Sequence, residues 1–327
     1  MNLILKVIIF YFLFANTAYS QTVDTTFYDN GKIKSIITKK NKTEVVIYTY
    51  YNNGIVSSKT TADDVSLKAF SILYDTTGIK TAEINLIDEE KNGPTKYFKN
   101  GKIILEGKYK EDLRTGIWKT YDTSGNFIKE MNYLNGKLNG QSILYYTTGE
   151  KDAQGIFTDG KKEGIWETYY KNGNIQFHYT YENDTTNGLA VFYYNNGQIR
   201  GQGNFVNKKP EGEWKEYYET GELKAIRHYI SGVTNGKYVE YHKNEKIKAT
   251  GKILDGKRDG KWKYFHKNGN IQSKGKYING KKEGKWYFYF EDGNLNIIGN
   301  FKQSKKAGLW EIYDKKGTLK KKFFFKT

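Results

Sequence analysis

The stretch Gly164-Ile-Trp-Glu-Thr-Tyr-Tyr-Lys-Asn-Gly173 contains the pattern that decides the fold of this chain. Its first glycine is one of nine that recur at a constant interval of 24 residues: Gly116, Gly140, Gly164, Gly188, Gly212, Gly236, Gly260, Gly284 and Gly308. Eight identical intervals in succession indicate an array of repeats, so a single unit is the element to interpret. We number each unit from its recurring glycine, which is position 0.

Aromatic residues recur at fixed positions of the unit. Position 2 holds all six tryptophans of the protein: Trp118, Trp166, Trp214, Trp262, Trp286 and Trp310. Position 5 is aromatic in all nine units: Tyr121, Tyr145, Tyr169, Tyr193, Tyr217, Tyr241, Phe265, Tyr289 and Tyr313. Position 9 is glycine except where Glu245 stands, position 11 is usually Ile, Leu or Phe, and position 17 is aromatic in seven of eight units.

This pattern, G-x-W-x-x-Y-Y-x-x-G-x-I, resembles the 24-residue bacterial variant of the MORN-repeat superfamily, including proteins labelled as YwqK-type antitoxin modules. The resemblance covers residues 93–327 well and residues 27–92 more loosely. It implies antiparallel β-hairpins and no catalytic residue. We therefore expect an all-β protein: an elongated, solenoid-type array of antiparallel β-hairpins that form a single twisted sheet.

Composition agrees with a strand-rich protein. Aromatic residues make up 16% of the chain and there are only 2 prolines, which favours strands over disorder. The chain has no cysteine, which excludes disulfides, thiol catalysis and thiolate metal sites. Its formal charge of +17 suggests acidic partners or surfaces, or lysines that keep an extended sheet soluble.

The chain divides into three predicted parts. Residues 1–20 have the pattern of a secretory signal, with Lys6, the apolar run 7–14 and Ala18-Tyr19-Ser20 as the cleavage site; a retained N-terminal anchor is the alternative. Residues 21–92 are degenerate repeats that cap the array. Residues 93–327 are regular repeats that end in a lysine-rich capping strand, with a membrane-touching tail as the alternative. We expect export to the periplasm, cell surface or medium, and no transmembrane segment in the mature chain.

The turns predict the register of each hairpin. Asn172-Gly173 is typical of a two-residue type I′ loop, which would make the positions of facing residues sum to 17. Position 2 would then face 15, position 6 would face 11 and position 5 would face 12. Trp262 would cover Gly275. Positions 2, 6, 11 and 17 would share one apolar face, with the position-5 rings on the other. From Gly31 to Gly317 this rhythm gives thirteen hairpins.

Two rows of side chains are candidate binding surfaces. The tyrosine row at position 5 could stack on sugars or hold an extended peptide, although its rings could equally support the sheet. A basic edge of inter-repeat loops could bind anionic lipid or glycan, or could be an ordinary solvated edge. This edge comprises Lys137, Lys161, Lys162, Lys208, Lys209, Lys257, Arg258, Lys281, Lys282, Lys305 and Lys306.

The sequence offers no pattern for chemistry. His242 and His266 share position 6 of adjacent units, which places them about 9–10 Å apart, too far for one metal ion. We expect no enzyme activity, cofactor or metal, and nucleic acid is an unfavoured partner. The leading hypothesis is an exported scaffold for protein–protein or surface interactions. The alternatives are an antitoxin or immunity-type protein that neutralises a toxin, and a binder of glycan or an anionic membrane surface.

Overall fold

The computed structural model describes residues 23–326, in which every regular element is a β-strand. The predicted signal peptide, residues 1–20, lies outside the described residues. Within them there is no helix of the length and apolarity needed to cross a membrane. The chain divides into two compact units, one ending at Lys161 and the other beginning at Lys162.

The strands of each unit are antiparallel, and they pair in chain order. The first unit contains β1 (Val23–Phe27), β2 (Ile33–Lys39), β3 (Glu44–Tyr50), β4 (Val56–Asp63), β5 (Lys68–Tyr74), β6 (Lys80–Ile87), β7 (Glu90–Lys99), β8 (Lys102–Lys110), β9 (Leu113–Tyr121), β10 (Phe127–Leu134), β11 (Lys137–Tyr145) and β12 (Lys151–Thr158).

The second unit continues with β13 (Lys161–Tyr169), β14 (Ile175–Glu182), β15 (Thr185–Tyr193), β16 (Ile199–Val206), β17 (Lys209–Tyr217), β18 (Leu223–Ile230), β19 (Val233–Thr234), β20 (Gly236–Tyr241), β21 (Ile247–Leu254), β22 (Lys257–Phe265), β23 (Ile271–Ile278), β24 (Lys281–Tyr289), β25 (Leu295–Lys302), β26 (Lys305–Tyr313) and β27 (Leu319–Phe325). Only Asn235 separates β19 from β20. Counted as one interrupted strand, these two leave thirteen hairpins in residues 23–326, the number that the glycine rhythm predicts.

The loop at Asn172-Gly173 is not the predicted two-residue turn. The N–H of Gly173 donates to the Tyr170 carbonyl at 2.9 Å, and the N–H of Tyr170 donates to the Asn174 carbonyl at 2.8 Å. Gly173 has φ +85°, whereas Asn172 is not among the residues with positive φ. A type I′ turn needs positive φ at both central residues, so this is a three-residue loop that ends in a left-handed glycine. Glu245 forms the same loop with φ +62°.

Type I′ geometry occurs instead at the opposite end of the strands, in the links between hairpins. Asn183 and Asp184 both have positive φ, at 48° and 63°, and their neighbours Glu182 and Thr185 are paired. Asn279-Gly280 repeats this geometry four units later. In the second unit two kinds of turn therefore alternate along the chain, each at its own end of the strands. The first unit departs from this rule at Asn100-Gly101, a two-residue turn with φ 49° and 76° at the end that elsewhere has the three-residue loop.

The predicted register is right around the tryptophans and wrong near the loop. Trp166 pairs with Tyr179, and Trp262 with Gly275, so positions 2 and 15 face each other. A bulge then shifts the pairing, and Tyr169 faces Ile175. The predicted pairs of positions 6 with 11 and 5 with 12 are wrong, because the longer loop moves each partner by one residue. Such a shift also turns a side chain to the other face of the sheet.

The two faces of the sheet follow from this pairing. The indole face contains positions 2, 4, 13, 15 and 17, and the tyrosine face contains positions 1, 3, 5, 11, 14, 16 and 18. The ring of Trp262 lies 6.0 Å from that of Tyr264 and 5.9 Å from that of Tyr277, which are at positions 4 and 17. The predicted apolar face was thus right for positions 2 and 17. It was wrong for position 11, whose aliphatic side chains lie with the position-5 rings.

Position 6 belongs to a ladder between successive loops. The hydroxyl of Tyr170 donates to the Tyr193 carbonyl at 2.9 Å, and the hydroxyl of Tyr194 donates to the Tyr217 carbonyl at 2.9 Å. The side-chain amide of Asn172 donates to the Asn195 carbonyl at 2.8 Å. These bonds satisfy loop carbonyls and join each hairpin to the next one.

At least four glycines at position 15 are covered by the tryptophan that follows in the next hairpin: Gly203, Gly251, Gly275 and Gly299. A Cβ atom on Gly275 would lie 2.2 Å from Cδ2 of Trp286. The Nε1–H of Trp286 donates to the Lys276 carbonyl at 3.2 Å. The expectation that Trp262 covers Gly275 is therefore wrong, although those residues are backbone partners. Between β23 and β24, Lys274 faces Tyr287, which places Gly275 beside Trp286 at the point where a bulge begins.

Small side chains replace the indole in parts of the first unit. Ser142 stands at position 2 and is 1% exposed, and Thr60 and Ser71 are buried and share a hydrogen bond of 2.6 Å between their hydroxyls. A separate cluster of Ile37, Val45 and Ile47 forms the core near β2 and β3. These parts of the first unit are therefore packed by aliphatic and hydroxyl side chains, whereas Trp118 in the same unit packs on the rings of Tyr109 and Tyr133.

We predict that Gly275→Ala lowers the free energy of unfolding by about 1–3 kcal/mol, because the new methyl group overlaps the Trp286 ring. Urea denaturation followed by circular dichroism measures the change. Ser273→Ala is the matched control on the same strand and face, since Ala225 and Ala249 occupy the equivalent position in other units. If Gly275→Ala and Ser273→Ala have the same free energy of unfolding, the packing of Trp286 does not require a glycine at position 275.

Candidate binding surfaces

The tyrosine row lies on the face opposite the indoles, as predicted, and each of its nine rings is half-buried. In the first unit the Phe127 ring lies between two rings of the row, 5.6 Å from Tyr121 and 4.8 Å from Tyr145. In each described hairpin of the second unit, position 5 pairs with the aliphatic residue at position 11, as in Tyr289 with Leu295. The row is therefore a semi-exposed apolar strip with phenol hydroxyls along it.

Several hydroxyls of the row donate to carboxylates on the same face. Tyr169 donates to Glu167 at 2.6 Å, and Tyr313 donates to Glu311 at 3.0 Å. Tyr121 donates to Glu106 at 2.7 Å. Burial, followed by this hydrogen bond and the charge of Glu106, raises the pKa of Tyr121 to about 12. These tyrosines are neutral donors whose hydroxyls are already engaged.

The sheet divides the predicted basic edge between its two faces. Lys162, Arg258 and Lys282 stand at position 22 and lie over indole rings, at 4.3 Å from Trp166, 5.0 Å from Trp262 and 4.4 Å from Trp286. Residues at position 21 lie on the tyrosine face instead, at the ends of their strands: Lys137, Lys161, Lys209, Lys257, Lys281 and Lys305. Lys208 lies within a turn, with φ +66°. The structure therefore does not bring these side chains into one surface.

The cation at position 22 shields the indole from water. Trp262 and Trp286 are 1% and 0% exposed, and both lie beneath such a cation. The position-22 residue that precedes Trp214 is Pro210, and Trp214 is the one tryptophan of the six that is only half-buried. This pattern assigns the position-22 cations to packing, where a cation over a ring contributes from about 0.5 kcal/mol at exposed sites to about 2 kcal/mol at desolvated ones.

Sequence reasoning missed a lysine patch on the tyrosine face of the second unit. It consists of Lys237, Lys252, Lys261, Lys263, Lys274, Lys276 and Lys285, at positions 1, 3, 14 and 16 of strands β20–β24. Three of them, Lys237, Lys261 and Lys285, are spaced by 24 residues. That spacing could have revealed the patch, but only if the face of the sheet to which position 1 belongs had been known.

His242 and His266 take part in the contacts between successive loops. Nε2 of His242 lies 3.0 Å from the Phe265 carbonyl, and Nε2 of His266 lies 3.1 Å from the Tyr289 carbonyl. Both take the place of the position-6 tyrosine. Among residues 23–326, no group of three or more His, Asp or Glu side chains has the geometry to hold a metal ion.

A shallow depression lies on the first unit, between β3 and β6. Thr43, Thr61, Lys68, Phe70 and Asn85 are among its lining residues. It opens broadly to solvent, and its charged lining residues are Glu44, Asp63 and Lys68.

We predict that Lys282→Ser lowers the free energy of unfolding by about 1–2 kcal/mol, because it removes a cation from a desolvated ring. Lys281→Ser should change it by less than about 0.5 kcal/mol, as for an ordinary surface position. Urea unfolding checks the first effect, and acrylamide quenching should show a newly accessible tryptophan in Lys282→Ser alone. Equal effects in the two variants would contradict the assignment of position 22 to packing.

The raised pKa of Tyr121 predicts a stability loss at high pH. The folded pKa lies above the ordinary value of 10, so the contribution is complete below pH 10 and is lost as pH rises towards 12. In Glu106→Gln the pKa of Tyr121 should fall but stay above 10, because burial is the largest cause. NMR titration of the tyrosine Cζ resonances measures both values, and an unchanged pKa in Glu106→Gln would contradict the contribution of Glu106.

Comparison with known proteins supports the repeat assignment. Seven segments match the family model described as MORN repeat variant: residues 25–41, 114–135, 162–183, 186–207, 210–231, 258–279 and 282–303. No curated protein matches the chain. The finer assignment to YwqK-type antitoxin modules is not confirmed.

Two solved structures were matched to this chain, both with low sequence identity and a low TM-score. A porin-like protein from Bacteroides uniformis ATCC 8492 is 8% identical over 88% of this chain and 91% of that chain, with a TM-score of 0.18. The WD40 beta propeller domain of Doa1 is 11% identical over 94% and 84%, with a TM-score of 0.14. Scores this low carry no argument about fold or function. Seven segments of the chain therefore match the MORN repeat variant, and they lie in an array of antiparallel β-hairpins.

Proposed function

We propose that this chain is an exported, non-enzymatic repeat scaffold that holds a partner protein through many equivalent contacts. The observation that carries the proposal is the tyrosine row, in which the same half-buried ring recurs on one face in successive hairpins. Rings two strands apart are separated by about 9–10 Å. Linked equivalent contacts raise the effective concentration of each further contact, so weak individual contacts can add up to firm binding.

The proposal of a non-enzymatic role is supported by the hydrogen bonds and ion pairs that the carboxylates already make. Glu163 and Glu283 accept from the backbone N–H groups of Asn183 and Gln303, both at type I′ turns. Glu311 accepts from the Tyr313 hydroxyl and pairs with Lys322 at 3.0 Å. Hydrogen bonds from Lys322 and Tyr313 lower the pKa of Glu311. These carboxylates serve turns and neighbours at fixed positions of the repeat.

Export is the part of the proposal that rests on residues 1–20 alone, through their signal-like pattern. An exported chain suits an immunity-type protein better than a cytoplasmic antitoxin. The antitoxin role follows only from the family resemblance, and no contact in the described residues favours it. A toxin gene beside the gene for this chain would be its first support.

The test is a pull-down with the chain from Gln21 onward, against the double variant Tyr217→Ala and Tyr241→Ala. We expect capture of the partner to fall at least fivefold, because two adjacent rings of the row are removed. Tyr217→Phe with Tyr241→Phe is the control and should retain capture, since Phe265 occupies the same position in another unit. Equal capture by the alanine variant, with unchanged circular dichroism, would show that the row only supports the sheet.

A further inference from the structure

The lysine patch crosses five strands on the tyrosine face of the second unit. Lys237, Lys252, Lys261, Lys276 and Lys285 lie on β20, β21, β22, β23 and β24 in turn. At about 4.8 Å between neighbouring strands, they extend over about 19 Å at right angles to the strands. All five are exposed.

Three pairs of these lysines are direct cross-strand neighbours. Lys237 is opposite Lys252, Lys261 is opposite Lys276, and Lys263 is opposite Lys274. Like charges in this arrangement destabilise a sheet. The fold therefore gains nothing from the pairing of these lysines with each other, in contrast to the position-22 cations, each of which covers an indole ring.

Few opposite charges offset the patch. On this face of β20–β24 the carboxylates next to it are Asp259 and Glu283, opposite Lys252 and Lys276. Glu283 already accepts from the N–H of Gln303 at 2.9 Å. Lys274 lies over Tyr289, with 5.3 Å between its Nζ and the ring centre.

An apolar strip runs beside the lysines. Phe265 pairs with Ile271 and Tyr289 pairs with Leu295, all four half-buried on the same face. Each of these four side chains keeps part of its surface exposed to solvent. A flat, partly apolar molecule could therefore lie along the strip with its charged groups over the lysines.

We propose that this patch binds an acidic polysaccharide, with its carboxylates on the lysines and the C–H faces of its sugars on Phe265 and Tyr289. An extended peptide would be expected to add to a strand edge, where backbone groups are open, and not to a face whose backbone is already paired. Single-stranded nucleic acid uses exposed aromatic platforms together with basic grooves, and phosphate recognition favours the bidentate arginine. The described patch contains only lysines.

The inference deepens the proposed role at an exterior surface by naming a ligand class and its site. The test uses the full chain from Gln21 with polygalacturonate as probe and neutral dextran as its uncharged counterpart, by calorimetry at low salt. The variant Lys252→Thr, Lys261→Thr and Lys263→Thr removes one lysine from each of the three pairs. The control, Lys243→Thr, Lys267→Thr and Lys316→Thr, removes the same charge from exposed lysines of the three-residue loops.

We expect polygalacturonate to bind, dextran not to bind, and affinity to fall at least tenfold in the patch variant but less than threefold in the control. The melting temperature of the patch variant should be unchanged or higher, because like-charge pairs are removed. This combination of weaker binding and undiminished stability separates a binding site from a structural role.

Four results would overturn the proposal: no binding of polygalacturonate, equal losses in both variants, a lower melting temperature in the patch variant, or tighter binding of polyglutamate, single-stranded DNA or phosphatidylglycerol vesicles. The pull-down with the tyrosine variants changes Tyr217 and Tyr241, which are not among the residues proposed to contact the polysaccharide. A chain that captures its protein partner yet ignores polygalacturonate would keep the scaffold function and lose only this inference.

Discussion

The contact on which the second unit depends is an indole laid on the glycine of the preceding hairpin. The ring of Trp286 occupies the space that a Cβ atom on Gly275 would need, and its N–H is bonded to the carbonyl of Lys276. Trp310 makes the same contact with Gly299 and Asn300. Because ring and glycine belong to different hairpins, the contact joins neighbours. A lone hairpin is marginal in water, so this coupling is what allows the array to persist.

A lysine or arginine completes the contact from the solvent side. Its charged end stays near water while its stem covers the ring. Trp214 shows what happens without it, since Pro210 precedes this indole at position 22 and the ring is only half-buried. Part of the basic charge that the sequence presents therefore belongs to the apolar packing. Net charge alone is a poor guide to binding in this protein.

The sequence was sufficient to predict the strands and the pairing of Trp262 with Gly275, although the turn type from which that pairing was predicted was wrong. The loop after Tyr169 is one residue longer than a type I′ loop, and Gln176 is left without a partner in a bulge. These two deviations cancel, so the register at the tryptophan is the one that a two-residue loop gives. Between the bulge and the loop only the longer loop acts. The pairing there is shifted by one residue, and the expected face of Ile175 was therefore wrong. The tryptophan's glycine partner was also missed, because it depends on pairing between hairpins.

The two faces are under different constraints, and this difference guides the search for function. On the indole face a residue must fit its ring and glycine neighbours, so the repeat fixes its type. On the tyrosine face, position 1 is Leu189 in one unit and Lys261 in another, and both are exposed. Packing does not select between such residues. In the lysine patch, adjacent hairpins share lysines that lower the stability of the sheet. Packing does not explain these lysines, and the binding of an acidic ligand does.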